Sequence, residues 1–245
     1  MFASEQYDDY LVKLFFEKQT VPTCIYKYRP FTQYSIKNLV SNSLWFSYVD
    51  EFNDPFESKL TAPIDMWLKE ESAEGKQTKK EDLEPLAKHY CELLEKNKHL
   101  LTACSFAKEP SNILMWSHYA NSHTGFCLEF TPVKDFNFFY SLFPIQYERE
   151  FKPAELISNE TNILDQLFIR KSRYWKYEDE FRLIKRERKN YEYAPAALSA
   201  VIFGANTSKE DIQLVKRILG SSVQYRKCEI NPYSQSIEVF PDEGE

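Results

Sequence analysis

The sequence predicts an α+β fold: a single domain over residues 1–245 with a mixed or mainly antiparallel sheet, peripheral helices and a helical insertion at about 64–99. Three observations predict it. Short strand-like runs and helical patterns are interspersed without the regular strand–helix–strand alternation of a parallel α/β protein. A chain of 245 residues suits one large domain better than two independent ones. One strongly charged, helix-prone stretch interrupts the strand-rich remainder.

The elements follow in order. Residues 5–18 carry a helical stripe of Tyr7, Leu11, Leu14 and Phe15. Val21–Tyr28 has strand character, 31–42 a helical face of Ile36, Leu39 and Val40, and Leu44–Tyr48 a short strand. The segment FNDPFES, 52–58, has turn chemistry, because Pro55 fixes φ and biases Asp54 away from helix. Phe52 and Phe56 are placed to anchor that turn in the core, with Asn53, Asp54 and Glu57 polar around them. Residues 64–99 read as a helical pair around GKQTKK. Leu101–Phe106 is a strand, Asn112–Asn121 a helix capped by Ser111 or Asn112, and Gly125–Phe130 a strand. Pro144–Tyr147 is a further strand, Asn159–Lys171 a helix and Asp179–Lys185 a strand. Leu198–Phe203 is a buried strand, and Ser208–Leu219 a helix with Gly220 at its end. Val223–Ile230 and Ser236–Phe240 complete the sheet.

Composition narrows the chemistry. Glycine is scarce at 5, and neither a GxGxxG nor a GxxxxGK[ST] pattern occurs, which argues against Rossmann-type and P-loop phosphate binding. A formal net charge of −6 disfavours a nucleic-acid partner, although a local basic patch is compatible with it. No stretch is apolar and long enough for a membrane span, and the N-terminus lacks the pattern of a signal peptide. Five scattered cysteines without a CxxC pair suggest reduced thiols and a cytoplasmic location. With no CxxC or HExxH, and with His118 and His123 five residues apart, no metal site is expected.

The polar candidates cluster in four segments. In YWKYEDEFRLI, 174–184, strand alternation puts Glu178, Glu180 and Arg182 on one face, with Phe181 and Leu183 on the other. The two glutamate Cα atoms would be about 6.6 Å apart at about 3.3 Å per residue. Two carboxylates beside an arginine can polarise a hydroxyl or stabilise an oxocarbenium-like centre. The same residues also describe a solvated strand face or a structural ion pair. In MWSHYANSHTG, 115–125, His118 and Tyr119 could bind a ligand or carry a proton, or could pack as core residues. In YKYR, 26–29, Lys27 and Arg29 share a face that could hold a phosphate or salt-bridge the glutamates. RKSRYWKY, 170–177, adds Arg170, Lys171, Arg173 and Lys176, for which a solvated face is the ordinary explanation. Cys127 lies in an apolar strand, which would raise its pKa and make it a poor nucleophile.

Taken together and in order, IYKYRPF, LWFSYVDEFNDPFES, ACSFAKEPSNILMWSHYANSHTGFCLEF, YEDEFRLI and AVIFGANTS resemble the bacterial domain-of-unknown-function family 2971. The resemblance spans about residues 24 to 210 and brings no settled activity with it. A second similarity, at the level of short motifs, is to the ADP-ribosyltransferase superfamily, whose members bind NAD in a split, mainly β fold. It implies Glu180 or Glu178 as the group that stabilises the ribosyl oxocarbenium, and Tyr28, Arg29 and Ser47 lining the NAD site. His118 and Tyr119 would position the ligand. Independently of that similarity, Asp54, held by its turn beside any cleft mouth, and Arg182, beside the glutamates, are further candidates for the cofactor site. A Ser-Thr-Ser strand, usual in that superfamily, is missing.

Three functions follow from these expectations. One is an NAD-using enzyme, with NAD as substrate, acting as a toxin or defence effector. Another is a non-catalytic module that binds a nucleotide, nucleic acid or protein. The third is a carboxylate-based glycosidic or nucleoside hydrolase using the same glutamates. On the enzymatic reading Glu180→Gln keeps the fold and abolishes NAD turnover.

Overall fold

The computed structural model describes residues 21–54, 64–73, 75–77, 79–149 and 167–242. The expected helix over 5–18, Phe56 and Glu57 lie outside them. The strands are β1 Ile25–Arg29, β2 Ser43–Trp45, β3 Thr102–Ala107, β4 Phe126–Phe130, β5 Leu142–Pro144 and β6 Gln146–Glu148. Six more follow: β7 Arg170–Ser172, β8 Glu180–Lys185, β9 Asn190–Glu192, β10 Leu198–Phe203, β11 Gln224–Asn231 and β12 Ser236–Pro241. The α-helices are α1 Gln33–Val40, α2 Ile64–Ala73, α3 Lys80–Asn97, α4 Ile113–Tyr119, α5 Phe136–Phe139 and α6 Lys209–Leu219.

The main sheet has the order β12-β11-β10-β4-β1-β3-β8-β5. Its pairings are antiparallel except for β10 with β11, which α6 joins as a crossover. The α+β expectation therefore holds, with a mainly antiparallel, mixed sheet. The two helices α2 and α3 occupy the 64–99 stretch, as its composition suggested. No helix among the described residues is long and apolar enough to cross a membrane.

Both faces of the sheet are covered. On one side Ile25, Leu128, Phe130, Val201 and Phe203 pack with Leu39 of α1, Phe138 and Phe139 of α5 and Val215 of α6. On the other, Tyr28, Cys127 and Ile202 pack with Met115, Trp116 and Ala120 from and just after α4. Trp116 is fully buried, and its indole N–H donates to the Pro110 carbonyl at 2.7 Å, so the ring adds apolar area without leaving an unpaired donor. Local signals position these helices. Asn112 caps α4 by accepting from the Leu114 and Met115 amides, Ser208 caps α6, and Gly220 ends α6 at φ +58°. A Cβ on Gly125 would sit 2.2 Å from the Arg29 carbonyl oxygen, so only glycine lets the entry of β4 approach the end of β1 this closely.

Several boundaries differ from the sequence reading. The first strand starts at Ile25, not Val21. The expected Pro144–Tyr147 strand is two: β5 joins the main sheet, while β6 pairs in parallel with β7. Of the helix expected over 159–171, residues 159–166 lie outside the described residues, and its end is not helical, because Arg170–Ser172 form β7. The strand expected over Asp179–Lys185 begins at Glu180, because Asp179 is left-handed at φ +40°.

One irregularity shapes the molecule. β4 pairs with β1 along all five residues of β1, whereas β3 meets β1 only at Tyr26↔Ala107. Continued register would place Tyr28 opposite Ser105, and that pair is not formed. Further along, Ala103 of β3 bridges to Ser47 instead. The sheet is thus split between β1 and β3.

Candidate functional site in the split sheet

Glu178 is not on the strand with Glu180. It ends a 3-10 turn, Arg173–Glu178, and the left-handed Asp179 follows it. The kink still brings both carboxylates to one cation. Lys171 Nζ lies 2.5 Å from Glu178 Oε2 and 2.9 Å from Glu180 Oε2. Arg182 donates from Nε to Glu180 Oε1 at 2.7 Å and from Nη2 to Oε2 at 3.2 Å, and its Nη1 reaches the Phe168 carbonyl at 3.3 Å. The Tyr119 hydroxyl donates to Glu178 Oε1 at 2.5 Å and accepts from Asn53 Nδ2 at 2.7 Å.

This group is buried. Glu178 and Glu180 are each 4% exposed and Arg182 is 0% exposed, which overturns the solvated-face alternative. Burial pushes the Glu180 carboxyl up, but Arg182 first and Lys171 second outweigh it and hold the group at about 2. Phe52 lies over the Arg182 guanidinium at 5.0 Å, and Trp175 faces Lys171 at 5.0 Å. Removing the Glu180 charge would leave Arg182 buried without its bidentate partner. Glu180→Gln is therefore expected to weaken the fold, against the sequence expectation that it is structurally silent.

The cleft itself is a cavity of about 270 Å³ in the gap between β1 and β3. Strand register assigns its walls to two faces. Tyr26 pairs with Ala107, which pairs with Glu180, so Tyr26, Tyr28 and Glu180 share one face. Lys27 and Arg29 belong to the other face, with Ile25. The expected common cationic and acidic face is therefore two faces, joined only because the sheet opens. Both sets line the cavity: Tyr28, Lys27 and Arg29 from β1, Ser105 and Cys104 from β3, and Glu178, Glu180, Lys171 and Tyr119 from the ion network.

Neither Lys27 nor Arg29 makes an ion pair with a carboxylate among the described residues. Lys27 Nζ donates to the Ser105 carbonyl at 2.6 Å across the gap, and Arg29 Nη2 reaches Asn38 Oδ1 at 3.4 Å. Burial lowers the pKa of both. Backbone alternation adds polar groups: the N–H and C=O of Tyr28 and Ser105 are directed towards the gap in which their register pair is missing.

Of the sequence candidates, Tyr28, Arg29, Ser47, Tyr119, Glu178 and Glu180 line this cavity. Arg182 lies behind it, fully buried against Glu180. Asp54 is buried but does not line it, and His118 is exposed and lies outside it, beside Tyr177. Sequence reasoning missed Lys171, assigned to a solvated basic run, and it passed over Trp45 and Ser105 as cavity residues, whereas Asn53 does line the cleft beside which its turn was expected to lie. The signal for Lys171 was its setting among aromatics in RKSRYWKY, since Trp175 packs on its ammonium.

Among the described residues no cluster of His, Cys, Asp and Glu could hold a metal ion. The buried Cys127 thiol is pushed well up by burial and by its neighbours Cys228 and Glu129.

A family model described as a protein of unknown function (DUF2971) matches residues 115–183. The match takes in α4, β4 and β8, and with them Tyr119, Lys171, Glu178 and Glu180, but stops short of β1 and its two cations. It supports the resemblance drawn from the sequence for that segment. No curated protein and no solved structure matches the chain.

Proposed function

We propose that the β1–β3 cleft binds a phosphate-bearing small molecule, held by Arg29 and Lys27. The observation that carries this is the placement of two cations, without carboxylate partners among the described residues, on the wall of a cavity. A charge withdrawn from water without a counter-ion is costly, and a bound anion offsets that cost. The planar guanidinium suits a phosphate bidentately, while the ammonium acts as a point charge. Backbone N–H groups along the open strand edges can add donors. A net charge of −6 and a cavity of about 270 Å³ favour a compact ligand over nucleic acid. Thermal unfolding with inorganic pyrophosphate tests the reading: a saturable rise in Tm in the wild type, lost in Arg29→Met, supports it, and no shift in the wild type removes it.

A second reading is favoured by one observation: Glu178, Glu180 and Tyr119 line the same cavity as the cations. NAD would then be the substrate, its pyrophosphate on Arg29 and Lys27. The N-glycosidic bond breaks with its electron pair leaving on nicotinamide. The ribosyl oxocarbenium, opposed by Glu178, takes an acceptor hydroxyl or water, which gives up its proton. Both carboxylates are already engaged, Glu180 by Arg182 and Lys171 and Glu178 by Tyr119 and Lys171, so Glu178 would act by its charge and Glu180 as a positioning residue. Those occupied oxygens also rank binding ahead of catalysis. Nicotinamide release by the wild type, lost in Glu178→Gln, would establish the enzymatic reading, and a toxin or defence role depends on it. A glycosidic or nucleoside hydrolase would instead release a free sugar without consuming NAD.

A further inference from the structure

We infer that Trp45 is the stacking platform for a planar base, so that the ligand of the cleft is a nucleotide and not a simple sugar phosphate or inorganic anion. The inference rests on the phosphate reading and names the rest of the ligand. Trp45 ends β2 and lines the cavity, yet 38% of it is exposed. A large aromatic ring that is both part of a cavity wall and open to solvent lies at the mouth, not in the depth. The Arg188 guanidinium sits over the ring at 5.0 Å and is itself held by Glu51, from Nε to Oε2 at 3.0 Å and from Nη2 to Oε1 at 2.8 Å, which restrains the ring.

The ring is also tied to the anion site. Arg29 contacts Asn38, and Asn38 Nδ2 donates to Asn190 Oδ1 at 2.8 Å and to Ser43 Oγ at 3.0 Å. Asn190 is the register partner of Trp45, and Ser43 opens the same short strand. One polar chain thus places the guanidinium that would take the phosphate beside the strand that carries the ring. A ligand with a phosphate on Arg29 can lay its next bulky group along this wall, since Arg29 and Trp45 line one cavity. An aromatic base stacks on such a ring, whichever base it is. At about 270 Å³ the cavity is near the low end for ligand pockets, so it encloses a mononucleotide-sized unit and leaves the second half of any dinucleotide at the mouth.

Calorimetric titration of the full chain with inorganic pyrophosphate, ribose 5-phosphate and AMP tests this. The expected result is that AMP binds roughly tenfold or more tighter than ribose 5-phosphate. Trp45→Ala should erase that preference, and Trp45→Phe, which keeps an aromatic face, should retain most of it. Quenching of tryptophan fluorescence by AMP, lost in Trp45→Phe, gives a readout independent of whether the alanine variant folds. Equal affinity for AMP and ribose 5-phosphate in the wild type, or a preference that survives Trp45→Ala, overturns the inference and leaves the phosphate reading standing. Failure of pyrophosphate and both phosphates to bind overturns the phosphate reading, and this inference with it.

Discussion

Arg182 grips Glu180 through both carboxylate oxygens, at 2.7 Å and 3.2 Å, inside a sheet where the arginine has no exposed surface. The pair occupies adjacent same-face positions on β8, so strand alternation alone sets its geometry. Its consequence is a buried guanidinium whose bidentate partner is a carboxylate on its own strand.

Glu180→Gln should therefore lower the unfolding free energy by about 3–5 kcal/mol, the usual range for breaking a buried ion pair from one side. The double variant Glu180→Gln, Arg182→Met should recover part of that loss, because it removes the charge that has lost its bidentate partner. Urea unfolding of the two variants against the wild type measures both effects. Equal instability of the single and double variants would show that packing, and not the broken charge pairing, sets the loss.

The same pair makes an acid prediction. The folded pKa of Glu180 is depressed from its ordinary 4.5 to about 2. A depressed carboxylate contributes stability that is present above the unfolded value and is lost as pH falls through the folded value. The contribution should be complete above about pH 4.5 and decline towards pH 2. Unfolding free energies across that window should fall more steeply for the wild type than for Glu180→Gln.

Tyr119→Phe removes a donor to a buried carboxylate and an acceptor for Asn53 in one step. Hydrogen bonds to charged groups contribute about 1.5–3 kcal/mol, so a loss of that size is expected. Asn53→Ala should be milder, since Glu178 keeps its tyrosine. Thermal unfolding of the two variants ranks them, and the reverse order would place the main support of the network in the turn instead of in α4.

Lys185 gives a prediction of opposite sign. Burial lowers its pKa from 10.5 to about 8, with Asp135 partly offsetting the shift, while Phe138 and Tyr140 crowd its ammonium. The unfolded chain then binds more protons than the folded one between those values, so stability from this residue rises with pH across the window. The stability difference between wild type and Lys185→Met, measured by urea unfolding at pH 7.5 and 9.5, should shift in favour of the wild type at the higher pH. A difference independent of pH would rule this out.

Much of the fold was legible because local patterns carried it. LSAVIF and GFCLEF are apolar runs that became buried central strands, and Asn112, Ser208 and Gly220 mark helix ends by local hydrogen bonding and φ alone. The site was legible by residue type but not by geometry. Glu178 joins Glu180 through a left-handed Asp179, which a strict alternation of two cannot express. Lys171 looks solvated in a basic run because its two glutamate partners come from a turn and a strand further along. Arg29 and Glu180 meet at one cavity only because β1 leaves β3 after Tyr26↔Ala107, a long-range event with no local signature. His118 was drawn in by its neighbour Tyr119, yet one residue further round α4 is enough to carry a side chain from the cavity to the surface.

Whether the cleft holds an anion is decided by the Tm of the wild type, Arg29→Met and Lys27→Met, titrated with inorganic pyrophosphate at constant ionic strength. A saturable rise is expected in the wild type, absent in Arg29→Met and reduced in Lys27→Met, since both cations line the cleft without a carboxylate partner among the described residues. A flat wild-type titration, or the same rise in all three proteins, would contradict it.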